Sequence, residues 1–469
     1  MAPYQFIDRP SPFNTRNGKT LPIFAITPAH IETGTIDPIA LDWAKKAGFK
    51  AEAGGLLMVP TADGHLGGAL FGLGKNPSDA PFLTGKLART LPAGDWHIET
   101  APLTANRLAL GYGLGSYRFE RYKASAAEAP TLLIPGDADA TDIKRQLAGV
   151  FLARDLVNMP TNDMGPDALE DVFRALGEHY KAKVSVIAGE DLLKQNFPLI
   201  HTVGRAAGQA PRLMELTWGK KGHKRVTLVG KGVTFDTGGL DIKPASSMLL
   251  MKKDMGGAAN VMGLALMIMD AKLKVDLRVL VPVVENSISA DAFRPGDIYR
   301  SRKGLTVQID NTDAEGRLIL ADALAYADEE EADLIVDMAT LTGAARVALG
   351  ADLPPPPPTS PRRPSPGRAL PSTTRCGACR STWATTGTSP PASPTSPTRP
   401  RAAWRGRSPR RCSSSASSPA TSAGRISTSM PGRRPSGRIR PSAARRRLSA
   451  RSTTIFATRW HRRRFPSDG

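Results

Sequence analysis

Seven charged side chains stand where their types and spacing could do chemistry: Lys231, Asp236, Lys243, Asp254, Asp313, Glu315 and Arg317. Three of them alternate in "NTDAEGRL" (Asn311 to Leu318), just before the apolar run "ILADALAYAD". In extended backbone, residues two apart point to one side, so this spacing predicts that Asp313, Glu315 and Arg317 converge on one spot. Two carboxylates held face to face repel, which predicts a positive charge between them. Four carboxylates with lysines and an arginine, and no His-rich motif, suit hard divalent metals bound through oxygen. No HExxH is present, which argues against a single-zinc protease of that kind. Two metals about 3.5–4 Å apart, sharing bridging carboxylates, would neutralise the four negative charges and hold an activated water between them.

Each feature also has a plainer reading. "DAEGR" is equally a helix N-terminus, where acidic groups favour the macrodipole and Gly316 makes the turn. Lys231 and Lys243, taken singly, read as solvated surface lysines. The glycines around them, Gly230, Gly232, Gly238 and Gly239, favour the functional reading, because they let backbone approach a ligand closely. "FGLGK" (Phe71 to Lys75) lacks the spacing of a phosphate-binding loop and reads as a tight turn.

The elements that must position these residues follow from the hydrophobic pattern. The first part, to about residue 150, is mixed α/β, with "LPIFAIT" and "GGLLMVP" as strands and "TDIKRQLAGVFLARDLVN" as a helix leading out. From "RVTLVGKG" onward the order is strand, glycine-rich loop, helix "GGAANVMGLALMIMDAKL", strands "VDLRVLVPVV" and "LTVQID", helix "RLILADALAYADEEEA" and strand "ADLIVDMAT". This order predicts an α/β fold with a mostly parallel sheet covered by helices on both faces. Ligands of such sheets bind beyond the carboxyl ends of the strands, where both polar clusters fall.

Composition divides the chain. Its 469 residues carry a formal net charge of +20. Residues 354–469 contain 24 Arg, no Lys and one Asp, so they hold +23 and leave residues 1–353 at −3. The excess of positive charge is therefore a property of the tail, not a nucleic-acid footprint on the globular part. Cys376, Cys379 and Cys412, the only cysteines, lie in the tail too, so neither a disulfide framework nor a cysteine zinc site is available before it. The start, "MAPYQFIDRPSPFNTR", has no apolar run of the signal-peptide kind, and no stretch approaches the roughly 20 apolar residues of a membrane span. A soluble, cytoplasmic protein is expected.

"VGKGVTFDTGGLDIKP", "MKKDMGGAA" and "NTDAEGRL" resemble, in order and spacing, the signature segments of the leucyl (cytosol) aminopeptidase family. "LARDLVNMPTNDMGP" (Leu152 to Pro166) and "GLGSYRFERYK" (Gly113 to Lys123) look like further landmarks, and the likeness covers roughly residues 20–353. The small departures, such as Thr237 where a serine is common, touch no expected ligand. The resemblance implies a metal-dependent exopeptidase that removes N-terminal, leucine-like residues from peptides by a two-metal, bridging-hydroxide mechanism. It implies one tighter metal site of Lys231, Asp236, Asp254 and Glu315 and a more exchangeable one of Asp236, Asp313 and Glu315, holding manganese, zinc or magnesium. Lys231 would bind as a neutral amine, a state that costs a free lysine about 4.6 kcal/mol at pH 7. Lys243 would stabilise the tetrahedral oxyanion, and Arg317 would hold a bicarbonate ion that shuttles the proton. The family's architecture implies a small N-terminal α/β domain over residues 1–150, a catalytic domain over 151–353 and a homo-hexamer with peptides as its partners.

After "ATLTGAARVALGADLPP" the likeness stops at a proline run. At face value residues 354–469 are an Arg/Pro/Ser-rich disordered tail, and an arm for nucleic acid is the corresponding function. That bias is also what a G+C-rich gene yields out of frame. Joining the wobble base of each codon to the first two bases of the next lets "TSPTRPR" become "DIANAPS", "RGRSPRRCSS" become "AGSITAALFL" and "GRISTSMPG" become "WAHFDIYAW". All three resemble the family's C-terminal part, in order and in one frame. The tail is therefore expected to be a frameshifted product with an incomplete catalytic domain before it, which leaves an inactive homologue, or a non-enzymatic protein with a basic tail, as the alternative to an active enzyme. The Cys376-Gly-Ala-Cys379 pair then loses its meaning as a redox or metal motif.

Overall fold

The computed structural model of the protein describes residues 11–14, 18–123, 128–344 and the backbone of 456–461. The N-terminal part is built on a six-stranded sheet: β1 (Phe13–Asn14), β2 (Leu21–Ile26), β3 (Leu56–Pro60), β4 (Leu66–Gly72), β5 (Asp95–Thr100) and β6 (Thr131–Leu133). Its spatial order is β1-β6-β5-β2-β4-β3, parallel except where β3 returns against β4. Helices α1 (Pro28–Thr33), α2 (Pro38–Lys46), α3 (Leu87–Thr90) and α4 (Ala105–Ser116) connect the strands. "FGLGK" closes β4 and leads to a 3-10 turn, Pro77–Asp79, rather than to the helix a phosphate-binding loop requires.

Helix α5 (Ala140–Asn158) joins two cores. Its Ile143 and Leu147 are buried with the N-terminal sheet, and its Leu152, Leu156 and Val157 with the next one. That second sheet contains β7 (Lys183–Ala188), β8 (Arg212–Gly219), β9 (Lys224–Gly230), β10 (Gly232–Asp236), β11 (Val275–Asn286), β14 (Leu334–Ala339) and β15 (Phe456–His461), while β12 (Ile298–Arg300) and β13 (Thr306–Gln308) form a separate ribbon. The main order is β15-β14-β9-β11-β8-β7, and β10 also pairs with β11. The strands β14, β9, β11 and β10 are parallel, whereas β8, β7 and β15 run antiparallel to their neighbours.

The remaining helices are α6 (Pro166–His179), α7 (Asp191–Lys194), α8 (Pro198–Gly204), α9 (Ala245–Met248), α10 (Gly256–Asp270) and α11 (Glu315–Asp328). Strand alternation sorts the buried residues into two layers. Val279, Val281 and Val283 of β11 pack with α5, α6 and α10, while Leu280 and Val284 pack with α8 and α11. Strands apolar on both faces belong in such a covered sheet, and the mixed α/β expectation holds.

Two expectations need correction. "LTVQID" is not a strand of the main sheet: Thr306–Gln308 pairs antiparallel with Ile298–Arg300 in the ribbon. A three-residue alternation satisfies its backbone with whichever strand lies next to it, so the pattern does not name the partner. Nor is the whole tail, residues 354–469, without regular structure, since Phe456–His461 pairs with β14 from Ile335 to Ala339. The outer edge of β14 offers backbone donors and acceptors that an extended segment can satisfy whatever its side chains. The expected disorder of the rest of the tail, and Cys376, Cys379 and Cys412, lie outside the described residues. Among the described residues no helix is long and apolar enough to cross a membrane.

Candidate metal centre

The parallel strands deliver the candidate ligands at their carboxyl ends. β9 pairs with the first half of β11, Val275–Leu280, and β10 resumes beyond it against Val283–Asn286, so the chain jogs at Lys231 between them. The jog is held by backbone: Lys231 N donates to Met338 O of β14 at 3.0 Å, and Lys231 O accepts from Ala258 N of α10 at 2.8 Å. Asp236 is the last residue of β10, Asp254 sits in the 3-10 turn Met251–Met255 before α10, and Glu315 opens α11.

Asp313 and Glu315 do converge, but not through extended backbone. Thr312–Ala314 is a 3-10 turn that runs directly into α11. A helical turn also brings near neighbours to one end, and carboxylate oxygens of Asp236, Asp313 and Glu315 lie within 4.8 Å of one another. Arg317 does not join them. It is exposed and makes no hydrogen bond or ion pair with the described residues.

Two ammonium groups lie among the carboxylates. Lys231, 2% exposed, places Nζ 2.7 Å from Asp254 Oδ2 and 2.8 Å from Glu315 Oε1, and donates to Thr340 O at 3.0 Å. Lys243 places Nζ 2.8 Å from Asp236 Oδ2 and also contacts Asp313 Oδ1. Asp254 Oδ2, Asp313 Oδ1 and Glu315 Oε1 are buried, and an ammonium group is the partner that each of them has in these ion pairs. A buried carboxylate oxygen keeps lone pairs beyond the one an ammonium engages, and a hard dication satisfies them without directional demands. The donor set of four carboxylates and an amine thus fits divalent metal.

The electrostatics agree. Burial pushes the Glu315 carboxyl up to about 8, against the pull of Lys231 and with the push of Asp254 and Asp236. Burial and the charge of Asp254 likewise raise Asp236. Burial favours a neutral Lys231, but the charges of Asp254 and Glu315 outweigh it and hold the ammonium above its ordinary value. Lys243 is raised in the same way, burial being outweighed by hydrogen bonding and charge from Asp236 and Asp313. The carboxylates hold more negative charge than two lysines neutralise, which is what added cations would relieve.

The supporting residues were not singled out from sequence. Asn286, fully buried at the end of β11, donates from Nδ2 to Asp236 Oδ1 at 2.9 Å and to Thr312 O at 3.1 Å. Thr340, just past β14, donates from Oγ1 to Asp254 Oδ1 at 2.7 Å. A polar residue ending an apolar strand, as Asn286 does in "VLVPVVEN", is the one signal that could have found it. Of the four glycines, two serve protein packing rather than a ligand: a Cβ on Gly230 would lie 2.8 Å from Ala258 Cα, and one on Gly232 2.5 Å from Pro282 O. Gly238, at φ +92°, makes the turn that returns Lys243 toward Asp236.

A family model described as "Cytosol aminopeptidase family, catalytic domain" matches residues 151–355, and one described as "M17 aminopeptidase, N-terminal domain" matches residues 21–135. All seven candidate residues lie within the first match. A probable cytosol aminopeptidase of Corynebacterium efficiens is 40% identical over 284 residues, 57% of this chain and 56% of the relative. The chain thus spans little more than half the length of that relative. Among solved structures, the cytosol aminopeptidase of Coxiella burnetii is similar with a TM-score of 0.68 and 42% identity, covering 72% of this chain and 75% of the other. The bottromycin maturation enzyme BotP, solved in complex with Mn, gives 0.63 and 31% identity over 71% and 75%. The family models, the similar sequences and the fold agree: the chain belongs to the cytosol aminopeptidase family.

Proposed function

We propose that the folded part of this chain is a two-metal aminopeptidase acting on peptides with a free N-terminus. The observation that carries this reading is the convergence of Asp236, Asp254 and Glu315, all buried, with the half-buried Asp313 around the ammonium groups of Lys231 and Lys243. Lys231, Asp236, Asp254 and Glu315 would hold one ion and Asp236, Asp313 and Glu315 a second, with manganese, zinc or magnesium suiting the set. When bound, the ions supply Lewis acidity toward the first peptide carbonyl, an activated water and an anchor for the α-amino group.

The chain's own residues do the rest. Lys231, whose ammonium Asp254 and Glu315 favour in the absence of metal, would have to lose its proton to serve as an amine donor to a bound cation. Lys243 keeps its charge and lies beside Asp313 at the less enclosed side of the cluster, where a cation stabilises a developing oxyanion. Arg317, exposed and without a partner among the described residues, has its guanidinium available for a small anion such as bicarbonate, which would carry the proton in place of a general-base side chain. Leucine-like side chains at the cleaved position, a homo-hexamer and a cytoplasmic location complete the reading by family likeness.

A second reading, a catalytically silent homologue, rests on one observation: the family match stops at residue 355, and 56% of the curated relative is spanned. The assay that separates the two is hydrolysis of leucine amide. Activity that disappears on chelation and returns with manganese or zinc is expected. Hydrolysis untouched by chelators would sink the metal mechanism, and none at any metal concentration would favour the silent homologue.

A further inference from the structure

We propose that Thr312 is a positioning residue that fixes the distance between the two metal-ligand loops. The inference rests on the metal reading above and adds a residue that the reading does not use. Thr312 is fully buried, immediately before Asp313, and all its polar groups point away from its own helix. Its Oγ1 donates to Gly238 O at 2.6 Å, accepts from Asp241 N at 2.8 Å and lies 3.2 Å from Asp241 Oδ2. Its N–H donates to Asp241 Oδ2 at 2.8 Å. Its carbonyl accepts from the Asn286 Nδ2 that also holds Asp236 Oδ1.

Through one threonine, therefore, the segment carrying Asp313 and Glu315 is tied to the loop that runs from Asp236 to Lys243. The packing leaves no slack at this tie. A Cβ on Gly239 would come within 2.9 Å of Thr312 Cβ and Oγ1. A buried hydroxyl with both donor and acceptor roles filled is a specific constraint, since removing it leaves a carbonyl and an N–H without partners. Hydrogen-bonded groups behind metal ligands set their geometry, and losing one costs about 10–100-fold in affinity.

The test is Mn²⁺ titration of the full-length, metal-free chain, with the free ion followed by electron paramagnetic resonance, alongside thermal unfolding of the same metal-free samples. Thr312→Val keeps the shape and removes the hydroxyl, and it should raise the apparent Kd about 10-fold or more, while Thr312→Ser should restore it to within about 3-fold. Asp241→Ala, on the exposed side of the same tie, should weaken binding in the same direction, and it decides the matter should the valine variant not fold. Unchanged affinity in the valine or alanine variant, with only a lower unfolding temperature, would overturn the proposal and leave Thr312 as structural. Absence of Mn²⁺ binding by the unsubstituted chain would overturn the metal reading itself, and this inference with it.

Discussion

Lys231 and Lys243 have the same charge and similar company but differ in enclosure, and the proposed function gives them different work. Lys231 is enclosed between Asp254 and Glu315 in the buried part of the cluster, and its amine could become a ligand only by losing its proton. Lys243 reaches Asp236 and the more open Asp313 from a loop, and in the proposed function it keeps its charge. We therefore expect Asp313→Ala and Glu315→Ala to lower metal content, measured by elemental analysis, because each removes ligand oxygens. Lys243→Ala should retain metal and lower kcat by about 10²–10³, the usual effect of losing one oxyanion donor. Metal loss in Lys243→Ala, with full kcat in the remaining loaded enzyme, would reverse the assignment. The charged residues were legible in the sequence because a cluster of like carboxylates has few structural excuses. Thr312, Asn286 and Thr340 were not, because a threonine or asparagine acquires its meaning from a hydrogen bond to a residue far away in the chain.

The elements show where local pattern suffices and where it does not. Helices α5, α10 and α11 and strands β2, β3, β9, β11 and β14 follow directly from apolar periodicity, since each buries a face too large to leave in water. The short ribbon of β12 and β13 and the 3-10 turn at Thr312–Ala314 do not, for three residues carry no period that distinguishes one backbone from another. That turn matters, because it delivers Asp313 and Glu315 by helical geometry and sets Gly316 against Lys231. A Cβ on Gly316 would stand 2.5 Å from Lys231 Cε and 2.8 Å from Nζ. Gly316→Ala should therefore destabilise the protein by about 1–3 kcal/mol, the range of overpacked cores, and weaken metal binding by displacing Lys231. Gly208→Ala, where nothing lies within 4 Å, is the matched control and should stay within about 0.5 kcal/mol in denaturant unfolding. Equal stability in the two variants would show that Lys231 can move aside at little cost.

At the scale of the whole molecule, the family likeness and the chemistry of the chain end together. The catalytic match stops at residue 355, the negative balance of residues 1–353 gives way to +23, and lysine disappears while arginine multiplies. A natural basic arm would be expected to use both residues, whereas an out-of-frame reading of G+C-rich codons yields arginine with proline, serine and alanine. The main sheet meanwhile keeps an edge at β14, to which the described part of the tail contributes only Phe456–His461. We expect the nucleotide sequence under Ala351 to Arg368 to contain the frame change, near the proline codons of Pro354 to Pro358, where a run of cytosines favours slippage. Adding one base there, or removing two, should open a frame through "DIANAPS", "AGSITAALFL" and "WAHFDIYAW" to a stop, replacing an arginine-rich segment by one with aliphatic residues enough to pack. The frame-restored chain should then unfold at a higher temperature than the chain as it stands, because added apolar burial outweighs roughly 1–2 kcal/mol per residue of backbone ordering only when such residues are present. Early stop codons in the corrected frame, or a restored chain no more stable than this one, would return the basic arm to consideration as a genuine part of the protein.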